Sequence, residues 1–410
     1  MFENIIGQAG VIGALSSELA AHVFPRAVLF FGPPYAGKLS TALEVARVLT
    51  CRQTGDWSCA CSSCAAQREL THPHTLLLGS RYWDVEIAAS ADALRHSPRA
   101  PTQFLFLRAV RKLLRRFDSL VWDADDTRTR SAQDKAARIE EMLTQVEPGV
   151  AGLPEGDALE KVLGQITAAC TELASALRGD HIGIGQVRKL ASWAHLTSAD
   201  SLKVAIVENV DRMQESARNA MLKLLEEPPE GVRLILLSTH RSAIIPTVLS
   251  RLRPYGFSGR SPQEEQEVLR KIFRDESGRF AGLRAFFLAW KDISQVELSR
   301  LCKRFIELSF GDEAVDVLSE LSDVLPRNAQ AGREAALSFL EETSLLLQCS
   351  LRQGAIPVDT LEEWNQGLKE AQSRIETYNM SPSAVIESLF LRMRLSAHGG
   401  AKAQVQGAGT

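Results

Sequence analysis

The spacing of apolar and polar positions changes several times along the 410-residue chain, and each change predicts a change of structure. From Gly7 to Ala21 the apolar residues recur at helical spacing. Arg26 to Phe31 is a short, nearly continuous apolar run, which reads as a buried strand, and a helix follows from Lys38 to about Leu49. Leu76-Leu77-Leu78 is a second short run. From about residue 80 to 178 the period is helical, with FLFLRAVRKLLRRF and QDKAARIEEMLTQ separated by DADDTRTR and EPGVAGLPEG, as in an inserted hairpin or small bundle. Strand and helix then alternate again. VRKLASWAHL predicts a helix, Val204 to Val207 a buried strand, Glu215 to Glu227 a helix stopped by Pro228-Pro229, and Arg233 to Leu237 another strand. Beyond Ser261 the pattern is helical nearly to Ser396, and the last residues are polar and glycine-rich. The expected organisation is therefore a split α/β domain at 1–79 and 179–257, a helical insertion at 80–178, a helical region at 258–396 and a disordered tail at 397–410.

Composition adds little to this. A formal net charge of -3 gives no overall pull toward nucleic acid, although a local basic surface would be averaged away. Arg108, Arg111, Lys112, Arg115 and Arg116 do crowd onto one predicted helix, and they read as a solvated face in preference to a nucleic-acid or partner contact. No apolar run approaches the roughly 20 residues of a membrane span, and the N-terminal MFENIIGQ lacks the pattern of a secretory signal. A cytoplasmic protein without a membrane partner is expected.

Two segments carry chemistry. Gly32-Pro33-Pro34-Tyr35-Ala36-Gly37-Lys38-Leu39 matches G-x-x-x-x-G-K between a strand and a helix, the setting in which backbone N–H groups and a lysine cradle phosphates. Gly32, Gly37 and Lys38 are thus candidate ligands for ATP or ADP. The Ser or Thr that would hold magnesium is replaced by Leu39, and Ser40 lies about 100° further round the helix. At the end of the Val204–Val207 strand, where Asp-Glu would support metal and water, stand Glu208 and Asn209. Glu208 keeps a carboxylate for a metal, Asn209 cannot act as a general base, and Asp211 is too far along for a simple replacement. Magnesium is therefore poorly provided for, and weak or absent hydrolysis is expected. Thr239, at the end of the next strand, offers a hydroxyl toward a terminal phosphate.

The second segment is Cys51-x7-Cys59-x-Cys61-x2-Cys64. Four of the seven cysteines fall within this stretch, a pattern that fits structural zinc better than disulfides in a chain of this size. The single residue between Cys59 and Cys61 is tighter than usual, which leaves His72 or His74 as substitutes for one sulfur.

These residues together resemble the bacterial DNA polymerase III clamp-loader subunits, delta-prime and gamma/tau, of the AAA+ ATPases. Ile5 to Gln8, Arg26 to Phe30 leading into Gly32-Pro33, the cysteines followed by His72-Pro73, and Gln186 to Leu190 are each similar to family segments. Ala217 to Pro229, ARNAMLKLLEEPP, is a very close match to the signature helix. Ile245 to Arg251 is similar to the motif from which an arginine enters a neighbouring subunit's ATP site, which implies that role in trans for Arg251. Gly282 to Ala285 corresponds to a sensor region, with Arg284 its candidate. The resemblance implies an α/β P-loop (AAA+) core with a zinc-binding module and an all-helical C-terminal collar. It also implies partners: other loader subunits in a heteropentameric ring, the sliding clamp and primer-template DNA. Leu39 and Asn209 favour a delta-prime-like stator over an active gamma/tau-type motor. A nucleotide-independent repair scaffold and a generic P-loop enzyme are the rival readings.

Overall fold

The computed structural model describes residues 1–79, 83–122, 127–149, 152–175, 182–196, 202–290, 295–311, 329–352, 357–376, 378 and 380–406. The chain divides into two compact units, 1–287 and 288–410.

The first unit is built on a five-stranded, all-parallel sheet of order β2-β3-β4-β1-β5. The strands are β1 (Ala27–Phe31), β2 (Thr75–Leu78), β3 (Lys203–Val207), β4 (Val232–Ser238) and β5 (Arg253–Gly256). Their near-continuous apolar composition is what a parallel sheet covered on both faces requires. Alternate residues feed two separate cores. Val28, Phe30, Leu77, Val204, Ile206, Ile235 and Leu237 pack with α1 (Ala9–Ala20) and α2 (Lys38–Thr50). Leu29, Leu76, Leu78, Ala205, Val207, Leu234 and Leu236 pack with α8 (Ile184–His195) and α9 (Glu215–Glu226).

Between β2 and α8 lie α4 (Trp83–His96), α5 (Ala100–Leu114), α6 (Thr127–Leu143) and α7 (Asp157–Ala174). They share a core that includes Trp83, Leu94, Phe106, Val110, Leu143 and Ile166. The basic run on α5 and the turn after it is not a solvated face, contrary to expectation: Arg111, Lys112 and Arg116 are buried. The reason is α3 (Ser62–Arg68), whose C-terminal carbonyls have no partners within the helix. Arg108 donates to the carbonyls of Gln67 and Arg68, Arg111 to that of Glu69 and Arg115 to that of Leu70. Arg111 also pairs with Glu140 at 2.6 Å and Glu147 at 2.5 Å. The row of arginines fastens the inserted helices to the end of α3. Arg111→Ala is expected to cost about 2 kcal/mol, because it strips partners from backbone and carboxylate together; urea unfolding of the variant against the parent protein measures it.

The break at 287/288 falls later than the expected 257/258. Residues 258–287 belong with the α/β core because they are tied to its 32–38 loop. α11 (Pro262–Lys271) opens with a capping box, in which Ser261 accepts from the Glu264 backbone N–H and Glu264 accepts from that of Ser261. Phe287 stacks on Tyr35 with ring centroids 5.3 Å apart.

The second unit contains α13 (Gln295–Phe310), α14 (Ala329–Arg352), α15 (Val358–Glu376) and α16 (Pro382–Gln406). Their apolar faces meet around Phe305, Phe339, Trp364, Phe390 and Met393, and the Trp364 indole N–H donates to the Met393 carbonyl at 3.1 Å. The last helix runs to Gln406, ten residues into the stretch where composition predicted a disordered tail. Ala397, Ala401, Ala403 and Gln404 are good helix formers and offset the glycine pair 399–400.

Candidate functional site

The loops after β1, β3 and β4 all leave the sheet at the carboxyl edge, where open parallel sheets place their ligand sites. Register sets their relative depth: Phe31 pairs with Ser238, and Val207 with Leu236. Gly32, Gly37 and Lys38 thus stand beside Thr239 at one edge, with Glu208 one strand further along.

Gly32 has φ 146°, and a Cβ there would lie 2.2 Å from the Phe257 carbonyl oxygen, so only glycine fits. Gly37, at φ 91°, is the N-cap of α2. The Lys38 ammonium donates to the Gly32 and Pro33 carbonyls, each at 2.6 Å. Leu39 is buried in the core shared by α1 and α2, so the position following the lysine contributes packing and no oxygen. Ser40 is exposed.

Arg260, which no motif singled out, lies across this loop. Its Nε donates to the Ile6 carbonyl at 3.2 Å and its Nη1 to the Tyr35 carbonyl, while Nη2 is 2.7 Å from where a Gly37 Cβ would stand. Gln8 fixes the same segment by accepting from the Ser258 N–H at 3.0 Å and donating to its carbonyl at 2.7 Å. The Arg241 guanidinium lies 5.0 Å from the centroid of the Phe31 ring.

Glu208 is buried, and its Oε2 accepts from Arg116 Nη2, a residue of the inserted segment. Side-chain exposures of 3% for Arg116 and 10% for Glu208 make this an interior ion pair. Arg116 is held from other sides as well. Its guanidinium is 4.8 Å from the centre of the Trp83 ring, and its carbonyl accepts from the Trp122 indole N–H at 2.5 Å. Nothing in the sequence pattern links residues 116 and 208. Asn209 has φ 52° and turns the chain into a short 3-10 segment. Asp211 accepts from Ser238 Oγ at 2.6 Å and lies 3.7 Å from His240 Nδ1. Burial raises its pKa, but His240 and Ser238 outweigh this and hold the carboxyl below its ordinary range.

Arg251 and Arg284 are placed elsewhere. Arg251 lies at the surface, with Nη2 donating to Glu226 Oε1 at 2.7 Å and Nη1 to the Thr247 carbonyl at 2.7 Å. Arg284 is half-buried on α12 (Leu283–Leu288).

The cysteines do converge. The four sulfurs of Cys51, Cys59, Cys61 and Cys64 lie within 4.8 Å of one another, and among the described residues they are the group arranged to hold a metal. Zinc–sulfur bonds of about 2.3 Å in a tetrahedron set sulfur–sulfur separations near 3.8 Å. Cys51 is 3.6 Å from Cys59 and 3.9 Å from Cys61. The donor set and spacing therefore fit a structural zinc-binding cluster, tight Cys-x-Cys included. His72 is not a ligand; it is buried with Nε2 3.1 Å from Ser63 Oγ, and burial pushes its pKa down to about 4. Backbone N–H groups of Cys64 and Arg52 draw the Cys61 thiol down to about 6, whereas burial pushes Cys64 up to about 12. Arg47, almost fully buried, ties this cluster to α2. It forms a bidentate pair with Glu44 (2.9 and 2.7 Å), and donates to the Gly55 and Asp56 carbonyls and to Cys64 Sγ at 3.1 Å.

Residues 139–260 match the family model described as DNA polymerase III, delta subunit. Over 97 residues, 23% of this chain, it is 31% identical to DNA polymerase III subunit gamma/tau of Mycobacterium tuberculosis. Over 92 residues, 22% of this chain, it is 33% identical to DNA polymerase III subunit delta' of Haemophilus influenzae. A longer match of 177 residues, 41% of this chain, is 27% identical to Replication factor C subunit 4 of Caenorhabditis elegans. The matches span 17%, 28% and 48% of these relatives' own lengths, less than two thirds in each case. Among the described residues, no helix is long and apolar enough to cross a membrane.

Proposed function

From a distant relationship to the bacterial DNA polymerase III clamp-loader subunits, we propose that the chain is a delta-prime-like stator. In this role it sits in a ring with other loader subunits, helps place the sliding clamp on primed DNA, and offers Arg251 to a neighbour's ATP site. Its own phosphate loop serves as a nucleotide-binding site without turnover.

The observation that carries this reading is the pairing of Glu208 with Arg116. The carboxylate that would support magnesium in a motor subunit is buried against a guanidinium. Buried Leu39 removes the other protein ligand, and Asn209 supplies no base. Arg251 favours the reading from the other side. Its guanidinium is at the surface, held by Glu226 and the Thr247 carbonyl, and a group that stabilises phosphoryl charge in another subunit has to lie at the surface.

The test is ATP turnover by the reconstituted loader. Arg251→Ala is expected to lower turnover at the neighbouring site by about 10³-fold or more, seen as loss of that site's share of the loader's activity, and Lys38→Ala to leave it nearly unchanged. The reverse pattern, with turnover by the isolated chain, would establish a motor subunit and overturn the stator reading.

A further inference from the structure

We propose that the phosphate loop takes its nucleoside di- or triphosphate free of magnesium, with resident guanidinium groups in place of the metal. The inference rests on the loop's being a nucleotide site, as in the proposed function, and specifies the ionic form of the ligand.

In P-loop NTPases two protein groups hold the magnesium: the hydroxyl after the loop lysine and a carboxylate at the end of the neighbouring acidic strand. Here the first position is Leu39, buried with α2 in the core. The second is Glu208, and its partner Arg116 is not a side chain that can swing away. It is 3% exposed, set over Trp83, and anchored through its own backbone to Trp122. Releasing Glu208 to a metal would leave a guanidinium buried without its carboxylate, which is strongly unfavourable. The turn after α5 has placed a fixed monovalent cation against the carboxylate that would otherwise support a divalent one.

The loop has a second resident cation. Arg260 reaches from the Ile6 carbonyl to the Tyr35 carbonyl, and its Nη2 faces Gly37 next to Lys38. A polyphosphate seated on the loop N–H groups meets the Lys38 ammonium and the Arg260 fork together. A guanidinium is well matched to phosphate oxygens, because its N–H groups can donate in parallel. Two protein cations at the loop supply charge that magnesium otherwise brings with the nucleotide.

Calorimetric titration of the zinc-loaded full chain with ADP and with ATP, in magnesium-free buffer without chelator and in excess magnesium, tests this. Dissociation constants are expected to agree within about threefold between the two conditions. Arg260→Gln is expected to weaken both by about tenfold. A Leu39→Thr/Arg116→Met variant, which restores the hydroxyl and frees Glu208, is expected to bind about tenfold more tightly with magnesium than without. If that variant does not fold, the parent protein and Arg260→Gln decide the matter. Tenfold tighter binding by the parent protein in magnesium overturns the inference, as does undiminished binding by Arg260→Gln. Absence of binding in both conditions also overturns it, together with the nucleotide site of the proposed function, while the stator role of Arg251 is tested separately through its neighbour's turnover.

Discussion

Replacing Cys64 by serine, or stripping zinc with a chelator, is expected to destabilise the first unit by at least about 3 kcal/mol. Structural zinc binding in small isolated modules is worth roughly 10–16 kcal/mol. Here part of that stabilisation is shared with packing, since α3 is also fastened by Arg108, Arg111 and Arg115. Cys64 is the most sensitive position of the four because it is fully buried and accepts from Arg47. Serine there removes a metal ligand and draws the acceptor that Arg47 meets at 3.1 Å back by the shorter C–O bond. Thermal melts with and without chelator, read beside metal analysis, check the expectation. One zinc per chain and a lowered midpoint after chelation are the expected results, with His72→Ala retaining its metal. An unchanged midpoint in metal-free protein would mean the sulfurs cluster for packing alone.

Arg47→Met is expected to cost about 3–5 kcal/mol, the range for breaking a buried ion pair by removing one partner. Glu44 would be left 4% exposed with a carboxylate that loses two guanidinium hydrogen bonds and keeps one from the Phe2 N–H. The Gly55 and Asp56 carbonyls would lose their donor at the same time. Arg47→Met/Glu44→Gln is expected to recover part of the loss, because a neutral amide is far less costly to bury than an unpaired charge. Urea unfolding of the two variants separates these terms. If Arg47→Met alone is within about 0.5 kcal/mol of the parent protein, the pair contributes little net stability.

Much of the fold was legible because it rests on local pattern. The runs at Ala27–Phe31, Lys203–Val207 and Val232–Ser238 are too short and too apolar for anything but buried strands, and glycine, proline or polar turns bound them. The cysteine spacing announced a metal cluster because its ligands lie within a few residues of one another, so little tertiary information is needed to bring them together. Leu39 and Asn209 stand out in the sequence because a G-x-x-x-x-G-K motif and an acidic strand end require particular residue types at fixed positions.

The arginines were misread for the converse reason. On α5 their spacing is that of a basic helix face, and helical spacing alone does not distinguish water from an uncapped helix end as the partner. Only the fold brings the carbonyls at the end of α3 and just beyond it beneath Arg108, Arg111 and Arg115. Glu208 could be recognised as a carboxylate at a strand end, but its partner lies 92 positions away in the inserted helices. Arg260 is more remote still in sequence from the loop it crosses, 225 positions from Tyr35.

The sequence by itself thus determined the central strands, most of the helices, the glycine-lysine motif with Leu39 after it, Asn209 at the strand end and the cysteine cluster, all of which depend on periodicity or short spacing. The tertiary structure decided which charges face which. Ion pairing depends on distance in space and on burial, and a linear chain records neither until packing has brought Arg116 to Glu208, Arg260 to the loop and Arg47 to Cys64.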